Sequence, residues 1–252
     1  MQNTLFHSRI SHLTVPAALM MAIVFSFTWM PVYLVSQEKN EKGFRAIFNG
    51  KNLDGWEGLK GAWEVADGAI RCTGQKEGKK NWLIWRGGQP TDFELRLEFR
   101  FTSGNSGVQI RSRELSPEDK AAKGARFQVR GYQVEIAAAN KMGLWHHSLS
   151  PEKYRSHLAT AGQKARFSSE GKHTVEKVAE AADIQKHCRD GKWNELVVIA
   201  RGSRLIQKIN GVVFAELIDE DAKYATAKGF IALQDHGKGT VAEFRNIRIK
   251  EK

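Results

Sequence analysis

Only two cysteines, Cys72 and Cys188, occur in 252 residues, too few for a disulfide-rich scaffold or a zinc site of four thiolates. Prolines number five, and no tandem repeat or low-complexity tract interrupts the chain. None of the eight histidines stands in a close-spaced ligand motif with cysteine or carboxylates, so neither a metal nor another cofactor is expected. Acidic residues are the scarcer charge, 28 Asp and Glu against 39 Lys and Arg, for a formal net charge of +11. Arg9 is the one charged residue before position 37, so the remainder of the chain is itself basic. That excess is interleaved with Glu and Asp and forms no helix-turn-helix, zinc finger or basic stretch with stacking aromatics, so no specific nucleic-acid partner is expected. What is abundant is apolar: 41% hydrophobic and 10% aromatic residues exclude a disordered chain.

Leu13 to Val35 contains no Lys, Arg, Asp or Glu and follows His7, Arg9 and His12. A basic n-region, an apolar stretch and a polar restart at Gln37 describe either a secretory signal or an uncleaved signal anchor over residues 1–36. Residues 37–43 read as a linker. Both versions export the rest of the protein to the periplasm or the outside, and the membrane is met only through residues 13–35 if the segment is retained. In that compartment Cys72 and Cys188 either pair or stay as two buried thiols; spacing alone does not decide.

From Phe44 to Lys252 the pattern is strand and turn. Phe93, Leu95, Leu97, Phe99 and Phe101 alternate with Glu94, Arg96, Glu98 and Arg100, a period of two that puts one face of a strand in a core and leaves the other to solvated charge pairs. Asn194–Arg201 and Arg204–Ile209 are further strands, and Asn210-Gly211 leads into Val212-Val213-Phe214 as a tight hairpin. Gly-rich breaks at 104–107 and 237–239 separate others. Many short strands without an internal linker predict one all-β domain over residues 44–252, a two-sheet antiparallel jelly-roll sandwich. Asn140–Asp190, rich in Lys, Ala, His and Glu, reads as an insertion over a sheet edge or pocket mouth, with a short helix across His173–His187. Trp56, Trp63 and Trp193, each near a Gly, read as core or turn residues.

Three segments repeat one arrangement. Val108 and Ile110 share a parity, which sends Gln109 and Arg111 to the opposite face. Val134 and Ile136 likewise leave Gln133 and Glu135 on the other side, and Ile231 and Leu233 leave Gln234 and His236. If the three strands are neighbours, three amides, a guanidinium, a carboxylate and an imidazole converge. Amides and Arg111 suit sugar hydroxyls, while Glu135 and His236 can move protons. Trp145, in a loop-like stretch soon afterwards, can stack on a sugar ring. The competing reading of each segment by itself is a solvated outer sheet face.

Phe48-Asn49-Gly50-Lys51-Asn52-Leu53-Asp54-Gly55-Trp56, Asn105-Ser106-Gly107-Val108-Gln109-Ile110-Arg111, Gly131-Tyr132-Gln133-Val134-Glu135-Ile136, Gly229 to Gly237 and Phe244-Arg245-Asn246-Ile247-Arg248-Ile249 together resemble the 3-keto-disaccharide hydrolase family, in order, from about Phe44 to the end. The resemblance implies a concanavalin-like lectin/glucanase jelly roll, a carbohydrate substrate, and action on glycosides oxidised at C3. A ketone there acidifies the C2 hydrogen, so a base can form an enolate, the C1 substituent leaves by elimination, and water adds back. On that reading Glu135 and His236 are base and acid in either order, with Gln109, Arg111, Gln133 and Gln234 binding hydroxyls or the developing oxyanion. The chain departs from the family after Ile136, where Ala137-Ala138-Ala139-Asn140 replace an expected Asp. That points to a changed pocket wall, and with it altered specificity or lost catalysis.

Two other functions compete. A retaining β-glucanase needs a second carboxylate at an alternating strand position, but Glu135 has Ala137 and Ala139 on its own parity. A non-catalytic carbohydrate-binding or cell-surface module would use the same polar face and Trp145 without turnover.

Overall fold

The computed structural model describes residues 41–74, 80–118, 125–137, 141–147, 155–237 and 239–252. The N-terminal apolar segment and most of the linker lie outside them. Among the described residues no helix is long and apolar enough to cross a membrane. In chain order the elements are β1 Arg45–Ala46, β2 Trp56–Glu57, β3 Trp63–Ala66, β4 Ala69–Cys72, β5 Asn81–Trp85, β6 Phe93–Ser103, β7 Asn105–Leu115, β8 Gln128–Ala137, β9 Gly143–His147, β10 His157–Thr160, β11 Gln163–Phe167, β12 His173–Lys177, α1 Ala181–Gln185, β13 Asn194–Arg201, β14 Arg204–Ile209, β15 Val212–Asp219, β16 Phe230–Asp235 and β17 Val241–Glu251.

They form the expected two-sheet sandwich. One sheet runs β12-β11-β15-β14-β13-β6-β17-β4-β3, with β1 also on β17, and the other runs β10-β9-β8-β7-β16-β5-β2. Pairing is antiparallel except where β11 meets β15 in parallel. Period-two alternation builds the core: Leu95, Leu97 and Phe99 of β6, Val198 of β13 and Phe244 of β17 join Val108, Val134, Ile136, Ile231 and Leu233 of the second sheet in one buried cluster. Each such side chain contributes roughly 1.5–3 kcal/mol of burial free energy. The polar face of β6 pairs as expected, Arg245 with Glu98 at 2.8 Å and Arg96 with Glu94 and Glu41. Asn210 and Gly211 both take left-handed φ, 49° and 84°, as a two-residue turn between β14 and β15 requires.

Three sequence expectations need correction. His173–Lys177 is a strand, exposed along its length and paired with β11, so β-branched Thr174 and Val175 and the free edge of β11 outweigh the helical spacing. Between residues 173 and 187 helix is confined to Ala181–Gln185. The region 140–190 is no simple insertion, since β9 and β10 extend one sheet and β11 and β12 the other; Trp145 therefore sits on a strand. Third, Gln109 and Arg111 do not share a face. β7 is bulged between Ile110 and Arg113, Arg111 has φ 46°, and the extra residue reverses the alternation. The cysteines are free; burial pushes the Cys72 thiol up to about 12 and that of Cys188 to about 11.

A buried ion cluster ties β10 to the far sheet. Arg155, fully buried, donates to Asp221 at 2.7 Å and to Asp219, and its guanidinium lies 4.5 Å from the Phe167 ring centroid. The Tyr132 hydroxyl donates to the same Asp219. Arg155→Met is expected to cost about 3–5 kcal/mol in urea unfolding because it strands two buried carboxylates; a loss below about 1 kcal/mol would mean that the cluster is dispensable.

Candidate active site

The three polar segments are adjacent: β8, β7 and β16 are neighbours in the seven-stranded sheet. Val134 and Ile136 enter the core, so Gln133 and Glu135 emerge on the face turned away from it. That outer face has two halves. One is apolar, with Trp82, Ile84, Phe127, Val129 and Ala232 in a separate small cluster. The other is hollow and holds Glu135, which pairs with Gly107 on one side and Gly143 on the other. Both glycines allow close approach: a Cβ at Gly143 would collide with the Ala159 carbonyl oxygen. A Cβ at Gly107 would lie 2.7 Å from Cγ of Gln133, so this glycine is required by close approach.

A cavity of about 360 Å³ lies beside Glu135, within the range of roughly 300–1,000 Å³ typical of small-molecule sites. Gln133, Glu135, Gln234, His236 and Trp145 all line it. The remaining two predicted residues do not. Gln109 is fully buried beside the cavity and donates to Oε1 of Gln133 at 2.7 Å while accepting from Ser112. Arg111 is turned away, donating to the carbonyls of Thr91 and Gly202 at 2.7 Å each and to Asp92 at 3.2 Å. Its guanidinium is a structural brace.

Five further residues line the cavity: Lys80, Asn105, Lys141, Ser156 and His157. Asn105 was legible, because it shares the parity of Gly107 and Gln109; the Gly-rich stretch around it had been read only as a break. His157 pairs across the strands with Trp145, its ring edge-on at 4.1 Å. Lys80 and Lys141 precede β5 and β9, where no periodicity marks them.

The hydrogen bonds form one chain. Gln109 orients Gln133, whose Nε2 donates to Oε2 of Glu135 and to Oε1 of Gln234 at 3.1 Å. Asn105 Nδ2 donates to the other Glu135 oxygen. Both carboxylate oxygens thus accept from neutral amides. Burial raises the Glu135 carboxyl above the ordinary range, against the opposing pull of Asn105, Gln133, Lys80 and Lys141. Burial lowers the His236 imidazole, helped by Lys80 and Lys141. It also lowers Lys80, which Glu135 opposes, and His157, to which Lys141 adds. Asp235 fixes the turn before His236 by accepting from the Gly237 N–H at 2.8 Å. Among the described residues no group of three or more His, Cys, Asp and Glu is placed to hold a metal ion.

Two outcomes follow. Gly107→Ala should displace Gln133 and lower stability by about 1–3 kcal/mol in denaturant titration; no change would show that the gap is not tight. Glu135 holds its proton to higher pH in the folded than in the unfolded chain, so stability should fall as pH rises from the ordinary carboxylate range to the raised value, then level off. Glu135→Gln should abolish that slope in melting curves, and a slope unchanged in the variant would assign it to another group.

Residues 43–250 match the family model described as a 3-keto-alpha-glucoside-1,2-lyase-like domain. The chain is 25% identical over 234 residues to a 3-keto-disaccharide hydrolase of Bacteroides thetaiotaomicron, an alignment covering 82% of this chain and 78% of that one. Among solved structures, a Parabacteroides distasonis protein provisionally described as a glycosyl hydrolase superposes with a TM-score of 0.55 at 16% identity, covering 87% of this chain and 99% of that one. A Bacillus subtilis protein of unknown function with a galectin-like fold gives 0.52 at 11% identity, covering 79% and 90%. At such identities the structures speak for the fold alone, whereas the family model spans most of the chain. The chain belongs to the 3-keto-alpha-glucoside-1,2-lyase-like family.

Proposed function

We propose that this protein cleaves glycosides that carry a ketone at C3, with Glu135 and His236 as its proton-moving pair. The observation that carries the reading is their position in one cavity, the first raised and the second lowered in pKa by burial. Both shifts favour the uncharged forms, a protonated carboxyl and a neutral imidazole, one able to give a proton and the other to take one.

The chemistry balances with these two groups. One takes the C2 proton, whose acidity the adjacent ketone supplies, and the electron pair enters the C2–C3 bond as the ketone oxygen becomes an enolate. The enolate then returns its electrons, the C1–O bond breaks, and the other group gives its proton to the departing oxygen. Water adds to the resulting C1=C2 bond, its hydroxyl to C1 and a proton to C2, so the net reaction is hydrolysis. Asn105, Gln133 and Gln234 supply donors for hydroxyls or for the enolate oxygen. Trp145, half-buried on the cavity wall, offers a face or edge to the ring. One carboxylate, Glu135, stands among the described lining residues, which suits an elimination better than a double displacement needing two acids roughly 5 Å apart. Export through the N-terminal segment would place this activity in the periplasm or outside the cell.

Turnover of a 3-keto-disaccharide and of its unoxidised parent should differ, with cleavage confined to the oxidised sugar. Glu135→Gln and His236→Ala should each lose on the order of 10²–10⁴-fold in kcat, and the variant that also loses exchange of the C2 hydrogen with deuterated water is the one that lacks the base. Binding of both sugars without cleavage would instead make the protein a carbohydrate-binding module.

A further inference from the structure

Among the described residues lining the cavity the charges do not balance. Lys80 and Lys141 face one carboxylate, Glu135, and the two oxygens of Glu135 accept from Asn105 and Gln133. Neither ammonium has an ion-pair partner among the described residues. His157 and His236 add no compensating negative charge, and burial lowers both from their ordinary value.

The arginines elsewhere behave differently. Arg71 and Arg100 both sit on Glu243, Arg245 on Glu98, and Arg204 on Glu216. Pairing therefore neutralises these surface arginines, while Lys80 and Lys141 have no ion-pair partner among the described residues. The elimination described above generates a single negative charge, on the enolate oxygen, and one ammonium is enough to stabilise it. A neutral disaccharide leaves the second with nothing to bind.

We propose that the cavity takes glycosides bearing an anionic substituent, a carboxylate or a sulfate, with Lys80 and Lys141 as its counter-charges. The inference rests on this cavity being the sugar site. The two lysines lie on separate segments, just before β5 and just before β9, and both reach the same hollow. Both residues keep exposed surface while reaching the cavity, which places them at the entrance, where a substituent on a bound ring would emerge. Exposed ammoniums attract such a group through a field that salt screens within roughly 10 Å at 0.1 M.

The test is calorimetric titration of the full chain with glucose, glucuronate and glucose 6-sulfate at low and at moderate salt. Glucuronate or glucose 6-sulfate should bind about tenfold tighter than glucose, and whichever does so identifies the substituent. In Lys80→Met and in Lys141→Met the ratio of anionic to neutral affinity should fall towards one, as it should when salt is added to the parent protein. A ratio of one in the parent, or a ratio unchanged in both variants, overturns the inference. Turnover of a neutral 3-keto-disaccharide is measured separately. Cleavage of that sugar with no preference for anions ends this inference and leaves the elimination standing; a lysine-dependent preference without turnover of any keto-glycoside does the reverse.

Discussion

One buried carboxylate, Glu135, held by neutral amides, governs the rest of the site. Gly107 and Gly143 flank Glu135 across the sheet, the first leaving room for the Gln133 side chain and the second for the backbone of Ala159 and Thr160, so both neighbouring strands pack closely around the acid. The cost is a buried acid, and it is met by donors: Asn105 and Gln133 each bond one oxygen, Gln109 fixes Gln133, and Ser112 fixes Gln109. Even the backbone beneath is tied, since Gln207 of the opposite sheet reaches through the core to the carbonyl of Glu135 at 3.3 Å. A chain of amides of this kind sets the position of the carboxylate without neutralising it, as an ion pair would.

That distinction links the fold to the chemistry. An acid paired with arginine, such as Glu243 with Arg71 and Arg100, is pulled below its ordinary value and is a poor base. Glu135 has neutral donors instead, and burial moves it the other way. The walls are fastened independently of the floor. Arg155 is clamped between Asp219 and Asp221 immediately before Ser156 and His157, so the strand opposite Trp145 is anchored by a cluster that takes no part in the cavity itself.

Alternation alone located much of this from the sequence. Val134 and Ile136 could point inward in only one way, and Gln133 and Glu135 followed; the same logic fixed Gln234 and placed His236 beside it. It failed at Arg111, where a bulge with positive φ turns the guanidinium towards Thr91 and Gly202, because periodicity assumes a regular strand. It also failed for His173–Lys177, where edge pairing decided the conformation. Asn105 was within reach of the parity argument and was hidden by the glycines around it. Lys80 and Lys141 precede strands instead of lying within them, so only the folded arrangement brings them to the cavity. The substituted stretch after Ile136 extends into 138–140, beyond the described residues, and the apolar N-terminus is likewise outside them.

The most direct test is a crystal structure of the Glu135→Gln variant soaked with a 3-keto-disaccharide. The account predicts the oxidised ring in this cavity, with C2 within about 3.5 Å of residue 135 or His236 and the C3 oxygen facing amide or ammonium donors. A sugar bound on another face of the sandwich, with this cavity empty, would contradict it.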